Sequence, residues 1–430
     1  MFLARAVSVK KKSEALTLGF KGLNRLPATE NGELTAMTNI SGRYSPVLTS
    51  RLPREVIREL TSGTALFVAG NGKLCWVDGT DFVYDGVVKG TVSAGKKSID
   101  EYAGIILIFP DKKYYNYNTN TFGNIPNCPD IDYICVHRNR AFGCKGNAFY
   151  ASKLGDPLTW NYFPVPLVED SCWQSDVGEP GDFTGIIVSP DQIKVAKSGY
   201  LYELYGDKPS NFLLRKAANV GYKDYDSLVD INGALYGLSN DGFRVYTGSV
   251  PVLISDKLNE KYVSCVAGTD GTRYYACLYN GTEYSLYVFD TSTNLWFRED
   301  NLNVQAFACR KDAHELYALA DNRIIKFNSG TETITASIES EKFTEWWLGK
   351  KVSKSVKVMA DLEADATLKI YCAVDDGPYK LEETITATGL RSYETRITPQ
   401  RCDSFKVKLE WTGDVKVYGF SRELDFGSVN

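Results

Sequence analysis

At 430 residues, 43% of them apolar, the chain is long enough to bury a large core in two or three domains, and it is not a disordered polymer. Forty-nine basic and 53 acidic side chains leave a formal net charge of −4, which excludes partners recognised by bulk positive charge, such as nucleic acid or anionic lipid. Twenty-seven Tyr, 20 Phe and 36 Gly beside only 3 Met point to pleated surfaces joined by tight turns, an all-β chain.

The opening MFLARAVSVKKK places Arg5, Lys10, Lys11 and Lys12 across its apolar run, too early for a signal segment, and no later stretch has the length of a membrane span. The sequence predicts synthesis and folding in a cytoplasm. Ten cysteines dispersed through such a chain read as free thiols used as small core residues, several inside apolar strands, as in YICVH around Cys135. Residues 1–60 form an arm rich in turn residues that wraps the surface or contributes to closure of a ring. Within it PREVIREL (53–60) carries Val56, Ile57 and Leu60 at helical spacing behind Pro53, which predicts a short helix.

From residue 61 a strand–turn–strand shape recurs. LCWVDGTDFVYDG (74–86), KYYNYNTNTFGNI (113–125), FRVYTGSVPVLI (243–254), YVFDTSTNLW (287–296) and RIIKFNSGTETIT (323–335) each alternate apolar residues into a polar turn and out again, the signature of a hairpin. A further apolar strand precedes each hairpin, and in the last three copies the units begin near residues 226, 263 and 304. That period fits a four-stranded propeller blade of roughly 40 to 50 residues. Residues 61–335 therefore read as a β-propeller of about six blades, the alternative being a large irregular sandwich. Residues 336–430 alternate more strictly: FKVKLEW (405–411) sets Phe405, Val407, Leu409 and Trp411 against Lys406, Lys408 and Glu410. With TGD turning it into VKVYGF (415–420) as a hairpin, and KSVKVMA and LKIYCAV alternating likewise, the tail reads as a C-terminal antiparallel β-sandwich.

Residues for chemistry are sparse. His137 and His314 are the only histidines, and neither lies in a CxxC, HExxH or HxH pattern. Cys128, Cys135 and Cys144 match no zinc spacing. GTVSAGKKS (90–98) approaches a phosphate loop at Gly90, Gly95 and Lys96, but Lys97 stands where a magnesium-binding hydroxyl is needed. DTSTNLWFRED (290–300) lacks the glycine and the final glutamate of a calcium loop and reads as a hairpin turn. VDDGPYK (374–380) is a lone partial match to the repeated turns of propeller sialidases. No catalytic residue, cofactor or metal site is assigned. Trp346 and Trp347, in FTEWWLGKK, form an aromatic platform either for a sugar or protein ligand or for packing between the propeller and the tail.

Three segments, GFKGLNR with ENGELTAMTNISGRYSPVLTSRLPR, then VDINGALYGLSNDGFRVYTGSVPVLISDKLNEKY (229–262), then RCDSFKVKLEWTGDVKVYGFSRELDFGS (401–428), together resemble a family of tailed-bacteriophage and prophage virion proteins. These are the β-propeller tail hub, or nozzle, proteins of short-tailed phages and their prophage relatives. The resemblance implies a non-enzymatic subunit of the tail or connector, made in the host cytoplasm. Such a subunit joins other copies of itself in a ring, often sixfold, beside neighbouring connector and tail proteins. DNA passes through the ring without specific binding. Recognition of a receptor glycan by a propeller of the particle is the alternative, with a propeller glycoside hydrolase third.

Overall fold

The computed structural model describes residues 12–344 and 349–426. Among these the chain is strand and turn, with one 3-10 turn at Tyr225–Ser227 and no α-helix.

Seven four-stranded antiparallel sheets follow one another along the chain, each a meander, and their first strands begin at residues 63, 98, 133, 183, 229, 264 and 304. From blade 2 to blade 7 adjacent sheets pack through their first strands, the seventh lies against the first, and blades 1 and 2 share a buried cluster, so the sheets close as the blades of a β-propeller. The turns explain why the chain folds this way. Asp85–Gly86, Asn232–Gly233 and Asp321–Asn322 each carry two successive residues at positive φ, the backbone of the two-residue turn whose twist matches a hairpin.

Three expectations change here. There are seven blades, where the sequence spacing predicts about six, because several blades are shorter than the assumed period, their first strands following at 63, 98 and 133 and again at 229 and 264. And PREVIREL is no helix: Arg54–Glu59 is a strand paired antiparallel to Arg323–Phe327 as the outermost strand of blade 7. The open edge of that blade offers unpaired N–H and C=O groups, and β-branched Val56 and Ile57 suit the pairing, so tertiary context overrides the helical spacing. The hairpin predicted for RIIKFNSGTETIT fails for the same reason. Thr335 opens a strand elsewhere, and the arm takes the vacated edge.

The remaining strands form two five-stranded sheets and a short antiparallel pair, Ile40–Ser41 with Thr49–Ser50. Leu34–Thr38, Thr335–Ser340, Phe405–Thr412, Thr367–Val374 and Lys380–Ile385 lie in order in one; Lys12–Leu18, Val415–Phe426, Lys351–Leu362 and Gly389–Arg396 make the other, with Arg401–Cys402 added beside Lys351–Leu362. Each draws one strand from the arm. The alternation in FKVKLEWT is as the sequence reads, with Phe405, Val407, Leu409 and Trp411 buried. The hairpin expected around TGD does not form. Phe405–Thr412 and Val415–Phe426 belong to different sheets, and both strands bury alternate residues in one core, so the turn carries the chain across that core.

That core runs on into the propeller. Phe20, Leu23 and Leu48 of the arm, Leu238, Phe243 and Trp296 of blades 5 and 6, and Leu409 and Phe420 of the tail sheets share one buried cluster. Backbone bonds sew the arm to both sides: Leu23 N–H donates to Trp296 O (2.8 Å), Arg25 N–H to Lys257 O (2.8 Å), and Leu48 and Val417 exchange a pair at 3.0 and 2.9 Å.

Candidate functional site

The closing of seven blades leaves an axial channel walled by their first strands. A cavity of about 210 Å³ lies within it, lined by Thr64, Lys97, Ile186, Tyr225, Val266 and Gln305 among others. A wider recess of about 590 Å³ opens where blades 7, 1 and 2 meet, among Phe67, Asp100, Glu101, Phe307, Arg310 and Lys311.

Charged groups of this wall bind neighbouring blades together. The Asp100 carboxylate accepts from the backbone N–H of Val136 on blade 3 (2.7 Å) and of Glu101 (2.8 Å). Burial pushes the Asp100 carboxyl up to about 6, against the pull of those two bonds. Glu101 reaches back to blade 1, accepting from Gly70 N–H at 2.6 Å, and holds the Tyr117 hydroxyl at 2.7 Å. Burial and that carboxylate push the Tyr117 hydroxyl up to about 12. Asp224 repeats the device between blades 5 and 6 by accepting from Cys265 N–H at 2.8 Å. Ser98 links blades 2, 3 and 5, donating to the Tyr225 hydroxyl at 2.9 Å and accepting from Ile134 N–H at 3.0 Å. Sequence reasoning assigns no role to these residues; the available signal is an acid inside a first strand, as in SIDEY (98–102).

The motifs singled out in the sequence scatter over the molecule. In GTVSAGKKS, Lys96 pairs with Asp226, while Lys97 is buried against Asp111 at 2.7 Å. Burial would raise the Asp111 carboxyl, but bonds from Lys97 and Ser93 outweigh it and hold the group below its usual range. Both lysines are thus neutralised, and the residues that follow form a strand where a phosphate loop would open a helix. His137 stands on blade 3, 3.7 Å from Asp191, and burial and Arg138 lower its pKa. His314 lies in a turn of blade 7 with Nδ1 3.2 Å from Asp270 O. All ten cysteines are free, nine of them buried. Asp290 in DTSTNLW accepts from the N–H and Oγ of Ser292, fastening a hairpin turn. In VDDGPYK, Asp375 accepts from Asp403 and Ser404 N–H, and Asp376 pairs with Lys342 and Lys406. Trp346 and Trp347 lie outside the described residues. Among the described residues no group of three His, Cys, Asp or Glu side chains could hold a metal ion, and no helix is long and apolar enough to cross a membrane.

No protein-family model matches the sequence, and no curated protein does. Solved structures with related strand arrangements include the extracellular domain of a one-component system from B. thetaiotaomicron, at 10% identity and TM-score 0.47, covering 87% of this chain and 61% of that one. The C-terminal WD40 domain of Sif2 aligns at 9% identity and TM-score 0.40 over 72% of this chain and 97% of its own. An exo-β-1,3-galactanase from Phanerochaete chrysosporium aligns at 9% identity and TM-score 0.31 over 85% and 100%. The propeller assignment rests on the strand pairing within this chain.

Proposed function

We propose that the chain is a non-enzymatic structural subunit of a tailed-bacteriophage or prophage particle, of the tail hub or nozzle type, which joins copies of itself in a ring around the DNA exit channel. In this reading the two tail sheets form a sandwich held rigidly on the propeller, and the particle is where the protein works.

One observation carries the reading. The three segments that resemble the virion family are far apart in sequence, yet they meet: Phe20 and Leu34, Leu238 and Phe243, and Leu409 and Phe420 belong to the same core cluster. What resembles the family is therefore one architectural joint, between propeller and tail sheets. Charged pairs reinforce it, with Lys257 2.7 Å from buried Glu33 and Arg25 paired with Glu260. A net negative chain also suits a conduit that must not hold phosphate.

Light scattering and electron microscopy of the full chain, alone and mixed with the connector and tail proteins encoded beside it, test the reading. Rings or incorporation into particles support it. A chain that stays single in every mixture and is missing from particles overturns it. The glycan reading draws on tyrosine-rich loops and on Trp346 and Trp347, which lie outside the described residues.

A further inference from the structure

Between blades 3 and 4 lies a cleft of about 330 Å³, beside the turns that join their strands. Its floor is apolar: Phe142 of blade 3 and Ile193 and Leu204 of blade 4 are buried there, and half-buried Phe212 forms one side. The volume sits at the small end of ligand pockets, which span about 300–1,000 Å³.

The two walls carry opposite charge. Blade 3 supplies the cations. Arg138 and Asn139, both at positive φ, make the turn between Tyr133–His137 and Arg140–Lys145, so Arg138 stands at the exposed lip and Arg140 deeper in the wall. Arg140 is 2% exposed and has no ion pair among the described residues. Its Nη1 donates to Ser152 O (2.6 Å) and Ser171 O (2.8 Å), its Nη2 donates to Glu169 O, and its Nε has no partner. Asp170, whose charge acts on it, is taken up by Lys153 at 3.4 Å. A guanidinium removed from water and met only by carbonyl dipoles is a charge without compensation, and buried charges are as a rule paired.

Blade 4 supplies the acids. Asp191 lies in the turn before Ile193, and Asp207 follows Tyr205. Arg138 Nη2 donates across the cleft to Asp191 at 2.6 Å, and Asn211 donates to Asp207 at 2.7 Å. Those bonds hold both carboxyls below their usual range, so both are ionised at neutral pH. Asp207 has no ion pair among the described residues. Each wall thus keeps one charge that its own neighbours leave unmatched, Arg140 on blade 3 and Asp207 on blade 4, beside a floor that rewards an apolar body.

We infer that the cleft binds a free α-amino acid with an apolar side chain, its carboxylate toward Arg138 and Arg140, its ammonium toward Asp191 and Asp207, and its side chain on Phe142, Ile193, Leu204 and Phe212. A plain carboxylate would leave Asp207 unmatched, a plain amine would leave Arg140 unmatched, and a dianion would meet two acids. The site is complete within one copy of the chain, so it stands or falls apart from the proposed ring.

The test titrates the full chain with L-leucine and L-phenylalanine, followed by calorimetry and by the thermal unfolding midpoint. Phenylpropionate, which lacks the ammonium, and phenethylamine, which lacks the carboxylate, are the matched probes. Saturable binding of the amino acids with a rising midpoint is expected, about tenfold or more tighter than either probe, because each probe forfeits a charge-assisted hydrogen bond. Arg138→Gln and Asp207→Asn, at exposed positions, should each weaken binding about tenfold while leaving the ligand-free midpoint nearly unchanged. No heat and no midpoint shift with either amino acid at millimolar concentration would overturn the assignment. Equal binding of phenylpropionate or of phenethylamine, or undiminished binding in either variant, would overturn it as well.

Discussion

Replacing Arg54 by alanine tests how the wheel is locked. The Arg54 guanidinium projects from the closing strand to Asp300 (2.7 Å) and Glu299, just beyond the outer strand of blade 6, and lies 4.6 Å from the centre of the Phe327 ring. The side chains of Arg54 and Glu299 are 8% and 9% exposed. Burial already pushes the Glu299 carboxyl up, and Arg54 is the main group holding it down. Removing one partner of such a pair leaves a desolvated charge without compensation, at a cost of about 3–5 kcal/mol. In urea, followed by tryptophan fluorescence, a dependence near 3 kcal/mol per M would bring the midpoint down by roughly 1–1.7 M. Adding Glu299→Gln to Arg54→Ala removes the stranded charge and should restore more than half of that loss. The sign of the pH effect follows. With its carboxyl raised in the folded state, Glu299 favours folding at low pH and opposes it as pH climbs through the raised value, so the single variant's deficit should shrink on acidification. A midpoint shift below about 0.3 M, or no rescue by Glu299→Gln, would refute the argument from buried charge.

Gly221→Ala would place a Cβ 1.8 Å from Lys197 O and 2.4 Å from Tyr200 O, both backbone, so blades 4 and 5 must shift; a loss of about 1–3 kcal/mol or more is expected by thermal unfolding. Trp411, 1% exposed, fills the core of the tail sheets, and Trp411→Ala should cost about 3–5 kcal/mol by denaturant titration. Trp411→Phe should cost far less, because the buried indole N–H it removes has no partner. Asp100→Asn should gain stability relative to the native chain as pH rises from about 4 to about 7. The native carboxyl, raised to about 6 from an ordinary 3.8, favours folding below its unfolded value and loses that contribution as it ionises. Parallel unfolding curves across that range would contradict it.

The blades are legible wherever hairpin chemistry is local. Asp85–Gly86 and Asn232–Gly233 announce their turns, and strict alternation around Trp411 announces a half-buried strand. The misreadings share a physical cause. Arg54–Glu59 is mostly solvent-exposed, so Val56 and Ile57 have no alternation to obey, and only the distant edge at Arg323–Phe327 makes the segment a strand. Two strands joined by TGD look like a hairpin because pairing depends on the partner sheet, which adjacency in sequence does not encode. Blade count failed because blades 1 and 2, with first strands at residues 63, 98 and 133, are shorter than the period read from the later units. The cross-blade acids were invisible because Asp100 and Glu101 act through backbone groups 31 to 36 residues away, and backbone leaves no mark in sequence.

The two ends of the described chain lie side by side, since Lys12–Leu18 pairs residue by residue with Gly419–Asp425, and the closing strand of blade 7 precedes blade 1. A ribosome making this protein therefore delivers six blades and three strands of the seventh before Arg54–Glu59 can dock, and Lys12–Leu18 waits longer still for Val415–Phe426. Throughout that interval the nascent polypeptide exposes bare edges on both its wheel and its tail. Folding should be slow and chaperone-hungry.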